Sequence, residues 1–301
     1  MTPPTVALDG VERRYRDHQA LAGVGFELDG PCVAGLLGRN GAGKTTLLRL
    51  LSGQEFATAG RVRVFGDDPR ESGAALRRTV LIREDQTYPD LRVRQAVRAA
   101  ALLYPNWDEK LAGTLLDAYE LPPCRQVKKL SRGMRTALGI VIGLAARAEL
   151  TLFDEPYSGL DAVARTFFYD QLLADYAAHP RCILLSTHLI DEAADLLERV
   201  LVLDRGRLVL DAPADDLRGS ATAVSGPADG VERFVAGRTT LSRRAIGARA
   251  SVVMAGRLDE RDRELAGHLR LRLEPVTLQQ LAVYAAERAD DPSGLLTARA
   301  S

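Results

Sequence analysis

Apolar residues fall along this chain in two rhythms. Nearly unbroken apolar runs lie at residues 32–37, 150–153, 182–185 and 200–203. A short run of that kind, bounded by turn residues, predicts a strand buried on both faces. Weaker strand-like runs at 6–8 and 25–28 open the chain. Between the runs the spacing turns helical. Leu47, Leu48, Leu50 and Leu51 share a helical face, and Gly53 sits where a C-terminal cap belongs. Further helices are predicted over 136–146, 162–178 and 191–198. Strands alternating with helices imply a mostly parallel sheet covered on both faces. VLVLDRGRLVLDA reads as a hairpin that turns at Arg205-Gly206 and closes this unit.

Near residue 219 the texture changes. GSATAVSGPADG is rich in Gly, Ser, Ala and Pro and reads as a link. After it, HLRLRLEP alternates like a strand through Leu269, Leu271 and Leu273, and VTLQQLAVYAAER is helical. This divides the chain into a main α/β domain over 1–218, a small accessory α/β domain over 219–289 and a disordered tail over 290–301.

Composition narrows the picture only a little. The 301 residues are 46% hydrophobic and 27% charged, ordinary for a globular chain. Lys+Arg and Asp+Glu are 40 each, so charge gives no sign of a polyanionic partner. Cys32, Cys124 and Cys182 have no metal-ligand spacing and read as buried thiols in a reducing compartment. The longest apolar stretch, near 138–146, is well short of the ~20 residues of a spanning helix. MTPPTVALDG lacks the basic start and apolar core of a signal peptide. Work at a membrane would therefore need a partner.

The chemistry begins after the first apolar run. Residues 38–45, GRNGAGKT, fit G-x-x-x-x-G-K-[ST] between a strand and a helix, the setting that this motif requires. Gly38, Gly41 and Gly43 let backbone wrap closely around phosphate. Amides of Arg39, Asn40, Ala42 and the helix start would point at the anion. Lys44 would bridge β- and γ-phosphates, the Thr45 hydroxyl would hold Mg²⁺, and Thr46 would reach the α-phosphate. The second cluster is LTLFDEP, where an apolar strand delivers Asp154 and Glu155. Asp154 is expected to hold Mg²⁺ through water, and Glu155 to polarise an attacking water. LLSTHL places His188 just past another strand, where a side chain can reach a γ-phosphate.

GRNGAGKTT, LSRGM, LFDEP, SGLD and STH, in that order, resemble the ATP-binding subunit of an ABC transporter. The resemblance spans about residues 5–218. It implies a P-loop NTPase of ABC type with a helical subdomain at about 90–148, an ATPase using ATP and Mg²⁺. By the same resemblance LSRGM is the signature, in which Ser131, Arg132 and Gly133 cap the γ-phosphate held by the other subunit of a head-to-tail dimer. SGLD, with Asp161, would cross the dimer interface. His188 would be the switch histidine, Glu155 the catalytic base and Tyr15 the aromatic that stacks on adenine. The partners implied are a membrane permease on a separate chain and a second ATPase subunit, identical or related. The protein would then sit on the inner face of the cell membrane through that permease.

Two departures stand out. Met134 ends the signature where the family commonly has Gln. In VLIREDQTYPDL the position of the family's Mg²⁺-touching glutamine falls on Glu84, while Gln86 is the nearest glutamine, so both are candidates. The ED pair, LLYPNWDEKLAGTLLDAYEL and SRGM are similar to the ABC-2 exporter branch, often associated with drug or antibiotic export. Tyr104 and Trp107 either face the permease or pack within the subdomain. The rival reading is an ABC-type ATPase acting on nucleic acid or ribosomes. Under about 90 residues separate Lys44 from Ser131, with no heptads for the coiled coil such machines insert.

Overall fold

A computed structural model describes residues 3–84 and 86–287. In chain order it begins with the hairpin β1 (Val6–Tyr15) and β2 (His18–Leu28), then β3 (Cys32–Leu37), α1 (Lys44–Leu51) and β4 (Ala59–Val64). Next come α2 (Gly73–Arg77), β5 (Thr79–Arg83), α3 (Val93–Leu103), α4 (Glu109–Ala118) and α5 (Arg132–Ala145). β6 (Leu150–Asp154), α6 (Ala162–Ala178), β7 (Cys182–Ser186), α7 (Ile190–Ala193), β8 (Arg199–Asp204), β9 (Arg207–Pro213) and α8 (Ala214–Leu217) follow. The last part holds β10 (Ala221–Pro227), α9 (Ala228–Val235), β11 (Thr240–Ile246), β12 (Arg249–Ala255), α10 (Glu260–His268), β13 (Arg272–Pro275) and α11 (Leu278–Glu287).

The central sheet has the order β5-β6-β7-β3-β8-β9, parallel except for the edge strand β9. Its strands are apolar on both sides because both sides are covered. Val33, Leu37, Phe153, Ile183, Leu185, Val200 and Val202 join the core beneath α5 and α6. Their alternate neighbours Ala34, Leu36, Leu152, Leu184, Leu201 and Leu203 join a second core shared with β1, β2 and α1. That period of two divides the buried apolar residues of these strands between the two layers. A separate antiparallel sheet, β2-β1-β4, lies over the second core. The third sheet, β11-β12-β10-β13, with α9 and α10, has the β-α-β-β-α-β order of a split βαβ unit. The final helix, α11, packs on β8, β9 and α7 of the main sheet.

Several expected elements differ in extent. The first two strands run to ten and eleven residues, since they form an antiparallel ribbon of their own. The helix expected over 136–146 starts at Arg132, where Ser131 caps it by accepting from the Met134 amide at 3.2 Å. The helix expected over 191–198 ends at Ala193 and tightens into a 3₁₀ turn, Ala194–Leu196. That turn brings Leu197 onto β3 at Gly35, where an added Cβ would meet Leu197 Cδ1 at 2.6 Å. GSATAVSGPADG is not a link. Residues 221–227 of it are β10, an inner strand with small residues where Leu271 packs against Gly226. The predicted strand through Leu269 shrinks to Arg272–Pro275, because α10 takes the residues up to His268. Cys182 is buried and Cys32 half-buried, but Cys124 is exposed, so buried thiols are not the rule here. Tyr104 and Trp107 pack against the core of the helical segment, and Trp107 Nε1 donates to Glu109 at 2.8 Å. The tail at 290–301 lies outside the described residues.

One buried ion cluster ties the layers. Asp175 on α6 meets Arg181, before β7, at 2.7 Å and Arg147, before β6, at 3.1 Å. Arg147 also reaches Asp108 at the start of α4, at 2.7 Å. Removing one partner strands a buried charge, which costs about 3–5 kcal/mol. Asp175→Ala is therefore expected to lower unfolding stability in urea by about that amount. A loss within error of zero would show that the cluster contributes nothing.

Candidate functional site

β3, β6 and β7 end side by side, and their C-terminal ends open a crevice. Three segments supply it: the loop after β3, the end of β6 and the turn after β7. The loop needs its glycines. Gly38 and Gly43 have φ of 149° and 107°, and an added Cβ would lie 2.3 Å from Leu203 O and 2.5 Å from Ala20 O respectively. No side chain fits there. A cavity of about 430 Å³ lies over the loop, lined by Asn40, Gly41, Ala42, Gly43, Lys44, Thr45 and Thr46 and by Glu84, Asp154 and Glu155. Tyr15 and His18 close its far end from the tip of the β1–β2 hairpin.

The polar groups are prearranged. Lys44 Nζ donates to Gly38 O at 2.7 Å and Arg39 O at 3.3 Å, and lies 3.9 Å from Glu155 Oε1. Burial lowers the Lys44 pKa, against the pull of Glu155 and Asp154. The Thr45 hydroxyl donates to Asp154 Oδ2 at 2.7 Å. Asp154 Oδ1 is buried without a hydrogen-bond partner. Burial raises the Asp154 pKa. Glu155 takes a left-handed backbone, φ 49°, and its amide donates to Ser186 O at 3.1 Å. Its Oε2 meets His188 Nδ1 at 2.6 Å and the Tyr157 hydroxyl.

The structure thus gathers Tyr15, the loop from Asn40 to Thr46, Glu84, Asp154 and Glu155 around one cavity, with His188 held against Glu155. Gly38 and Arg39 lie on the other side of the loop, in a second cavity of about 450 Å³ shared with His188, Arg205 and the α11 residues Gln279, Val283 and Glu287. Of the two carboxamide-or-carboxylate candidates, Glu84 lines the nucleotide-sized cavity and also pairs with Arg132. Gln86 turns back to accept from the Arg83 amide at 3.4 Å. Ser131, Arg132, Gly133 and Asp161 do not line the cavity. Ser131 and Asp161 cap α5 and α6, Asp161 accepting from the Ala164 amide at 2.8 Å. Their segments are strapped together: Thr136 donates to Ser158 O at 2.7 Å, and a Cβ on Gly133 would lie 2.7 Å from Gly159 O.

Three contributors were not singled out from the sequence. His18 faces the cavity because the hairpin pairs it with Tyr15. Arg13 lays its guanidinium over the Tyr15 ring at 4.3 Å and the Phe56 ring at 4.2 Å, with Glu55 at 2.7 Å. Tyr157, between LFDEP and SGLD, belongs to neither motif, and no spacing rule marks it.

Comparison with known proteins fits this geometry. The family model for ABC transporters matches residues 21–158. The daunorubicin resistance ATP-binding protein DrrA3 of Streptomyces coeruleorubidus is 33% identical over 225 residues, covering 72% of this chain and 71% of that protein. The aliphatic sulfonates import ATP-binding protein SsuB 3 of Rhodococcus jostii (strain RHA1) is 36% identical over 215 residues, covering 70% and 75%. A solved structure of an ATP binding subunit of an ABC transporter shares the fold, with a TM-score of 0.64 at 24% identity over 71% of this chain and 91% of that one.

The raised Asp154 pKa has a signed consequence. A carboxyl whose folded pKa exceeds its unfolded value costs stability at neutral pH, and the cost fades as pH falls below the folded value. Asp154→Asn keeps an acceptor for Thr45 and removes the charge. Without nucleotide or metal, the variant is expected to melt above the wild type at neutral pH, with the gain shrinking toward about pH 4. A variant melting at or below the wild type at neutral pH would contradict the electrostatic account of this pair.

Proposed function

This chain belongs to the ATP-binding subunits of ABC transporters, which bind and hydrolyse ATP, and from that premise we propose that two copies close head-to-tail over two ATP molecules and drive a membrane permease on a separate chain. The carrying observation is the division of the site. Lys44, Thr45, Asp154 and Glu155 share one cavity, while Ser131 and Gly133 sit outside it at the start of α5. A second copy, presenting its own Ser131 and Gly133 across the cavity, completes the phosphate cage. SGLD moves with that helix start because Thr136 holds Ser158.

Each group then has a task. Tyr15, backed by Arg13, stacks on adenine. Loop amides and Thr46 hold phosphate oxygens, and Lys44 exchanges Gly38 and Arg39 carbonyls for the β- and γ-phosphates. The Thr45 hydroxyl and the Asp154 carboxylate suit Mg²⁺, an oxygen-seeking ion, and the buried unpartnered Asp154 Oδ1 supports that fit. Glu84 is the better placed of the two further Mg²⁺-side candidates. The ion supplies charge neutralisation for the phosphates. Glu155 acts as general base for the lytic water, and His188 turns from Glu155 toward the γ-phosphate.

The permease side is the helical subdomain, where Leu102 and Leu103 are 83% and 64% exposed. Among the described residues no helix is long and apolar enough to cross a membrane, so transport needs that partner. Export is the favoured direction, on the resistance relative and the ED and SRGM departures; the sulfonate import relative makes import the outcome to test against. Through its permease the subunit would work at the inner face of the cell membrane. The nucleic-acid reading gains nothing from a net charge of +0.

Glu155→Gln keeps size and polarity and removes the base. ATP affinity should stay within about threefold, turnover should fall at least ~100-fold, and light scattering with MgATP should show a doubled mass. Normal turnover would remove Glu155 as base. A mass unchanged by ATP would remove the head-to-tail closure.

A further inference from the structure

Tyr157 follows Glu155 by two residues and buries its ring, at 3% exposure, in the core under α5 and α6. Its hydroxyl meets four groups. These are a Glu155 carboxylate oxygen, Thr187 Oγ1 at 2.7 Å, the His188 amide at 3.1 Å and His188 Nδ1 at 3.3 Å. Thr187 Oγ1 in turn accepts from the Leu189 amide at 2.9 Å.

Counting protons fixes the direction of each bond. A phenol has one proton and two acceptor positions, and an ionised carboxylate can only accept. The contact with Glu155 therefore uses the Tyr157 proton. Burial raises the Tyr157 pKa, so the phenol keeps that proton. The His188 amide can only donate, and it fills one acceptor position. Thr187, whose hydroxyl accepts from the Leu189 amide, donates into the other, because the one Tyr157 proton is already on Glu155. The oxygen is then saturated. His188 Nδ1, 2.6 Å from the same Glu155 Oε2, supplies a second donor by the same rule. Oε2 is held from two sides, while Oε1 faces Lys44 across 3.9 Å at the cavity.

We propose that Tyr157 is a positioning residue for ATP hydrolysis: its hydroxyl clamps Glu155 Oε2 and leaves Oε1 as the oxygen that takes the proton of the lytic water. The clamp matters because Glu155 sits in a left-handed conformation, which is strained for a non-glycine residue and persists only where its surroundings enforce it. Asp154, one residue earlier, is fixed by Thr45, so the two carboxylates are aimed by separate devices. The inference rests on Glu155 being the base.

The test uses the full-length chain. Tyr157→Phe deletes the hydroxyl and keeps the ring. It should lower kcat for ATP about 10- to 100-fold, the scale of a misaimed catalytic group, with KM within about twofold. Replacing Tyr157 by 4-aminophenylalanine restores a donor at the ring tip and should recover at least about a third of kcat. The proposal is overturned by a Tyr157→Phe kcat within twofold of the wild type, by a KM that rises along with the loss in kcat, or by no recovery with the amino analogue. Glu155→Gln is assayed in parallel. If it still turns over ATP, the assignment of the base fails, whatever Tyr157 does.

Discussion

The hydrogen bond from Thr45 to Asp154 is the contact on which the site depends. It spans β7, joining the start of α1, after β3, to the end of β6. It can form only because β3, β6 and β7 end at one level, and they do so because each buries alternate residues in two cores. Patterning of the sheet thus sets where Lys44, Asp154 and Glu155 stand. The cost appears in the same place. Burial shifts both Lys44 and Asp154 away from their charged forms, a strain that nucleotide phosphates and a cation would relieve.

The LSRGM and SGLD segments lie outside the cavity over the phosphate loop and are held together. Ser131 caps α5, Gly133 lies against Gly159, and Thr136 ties the helix to Ser158. LSRGM and SGLD are therefore one rigid edge. On the proposed reading that edge belongs to the neighbouring copy's site. Glu84 links the two halves of a single chain, since it lines the cavity and pairs with Arg132. α11 adds a further link, as its Gln279, Val283 and Glu287 share a cavity with Arg39 and His188. The C-terminal part therefore reaches the phosphate loop through its last helix.

The parallel sheet was legible because four apolar runs admit no polar face, and the loop was legible because its glycines have no substitute. Order and spacing brought out Asp154, Glu155 and His188 as well. Other features depend on packing that a single sequence does not display. Small residues in GSATAVSGPADG suggest a link, yet Gly226 is small because Leu271 presses on it within a strand. The turn after α7 exists to seat Leu197 on Gly35. Glu84 and Gln86 could not be separated by counting, since the difference lies in which way each side chain turns. Tyr157 looks like any core aromatic until its hydroxyl is found on Glu155.

The central claim is that one chain cannot complete its own site, and mixing two defective chains tests it most directly. Lys44→Ala spoils the phosphate loop, and Ser131→Arg spoils the edge offered to a partner. Each alone should be inactive. Mixed, they should form a dimer with one intact site, built from Lys44 of one chain and Ser131 of the other, and ATP hydrolysis should return. A mixture that stays inactive at every ratio, or a Ser131→Arg chain that hydrolyses ATP normally by itself, would contradict the account.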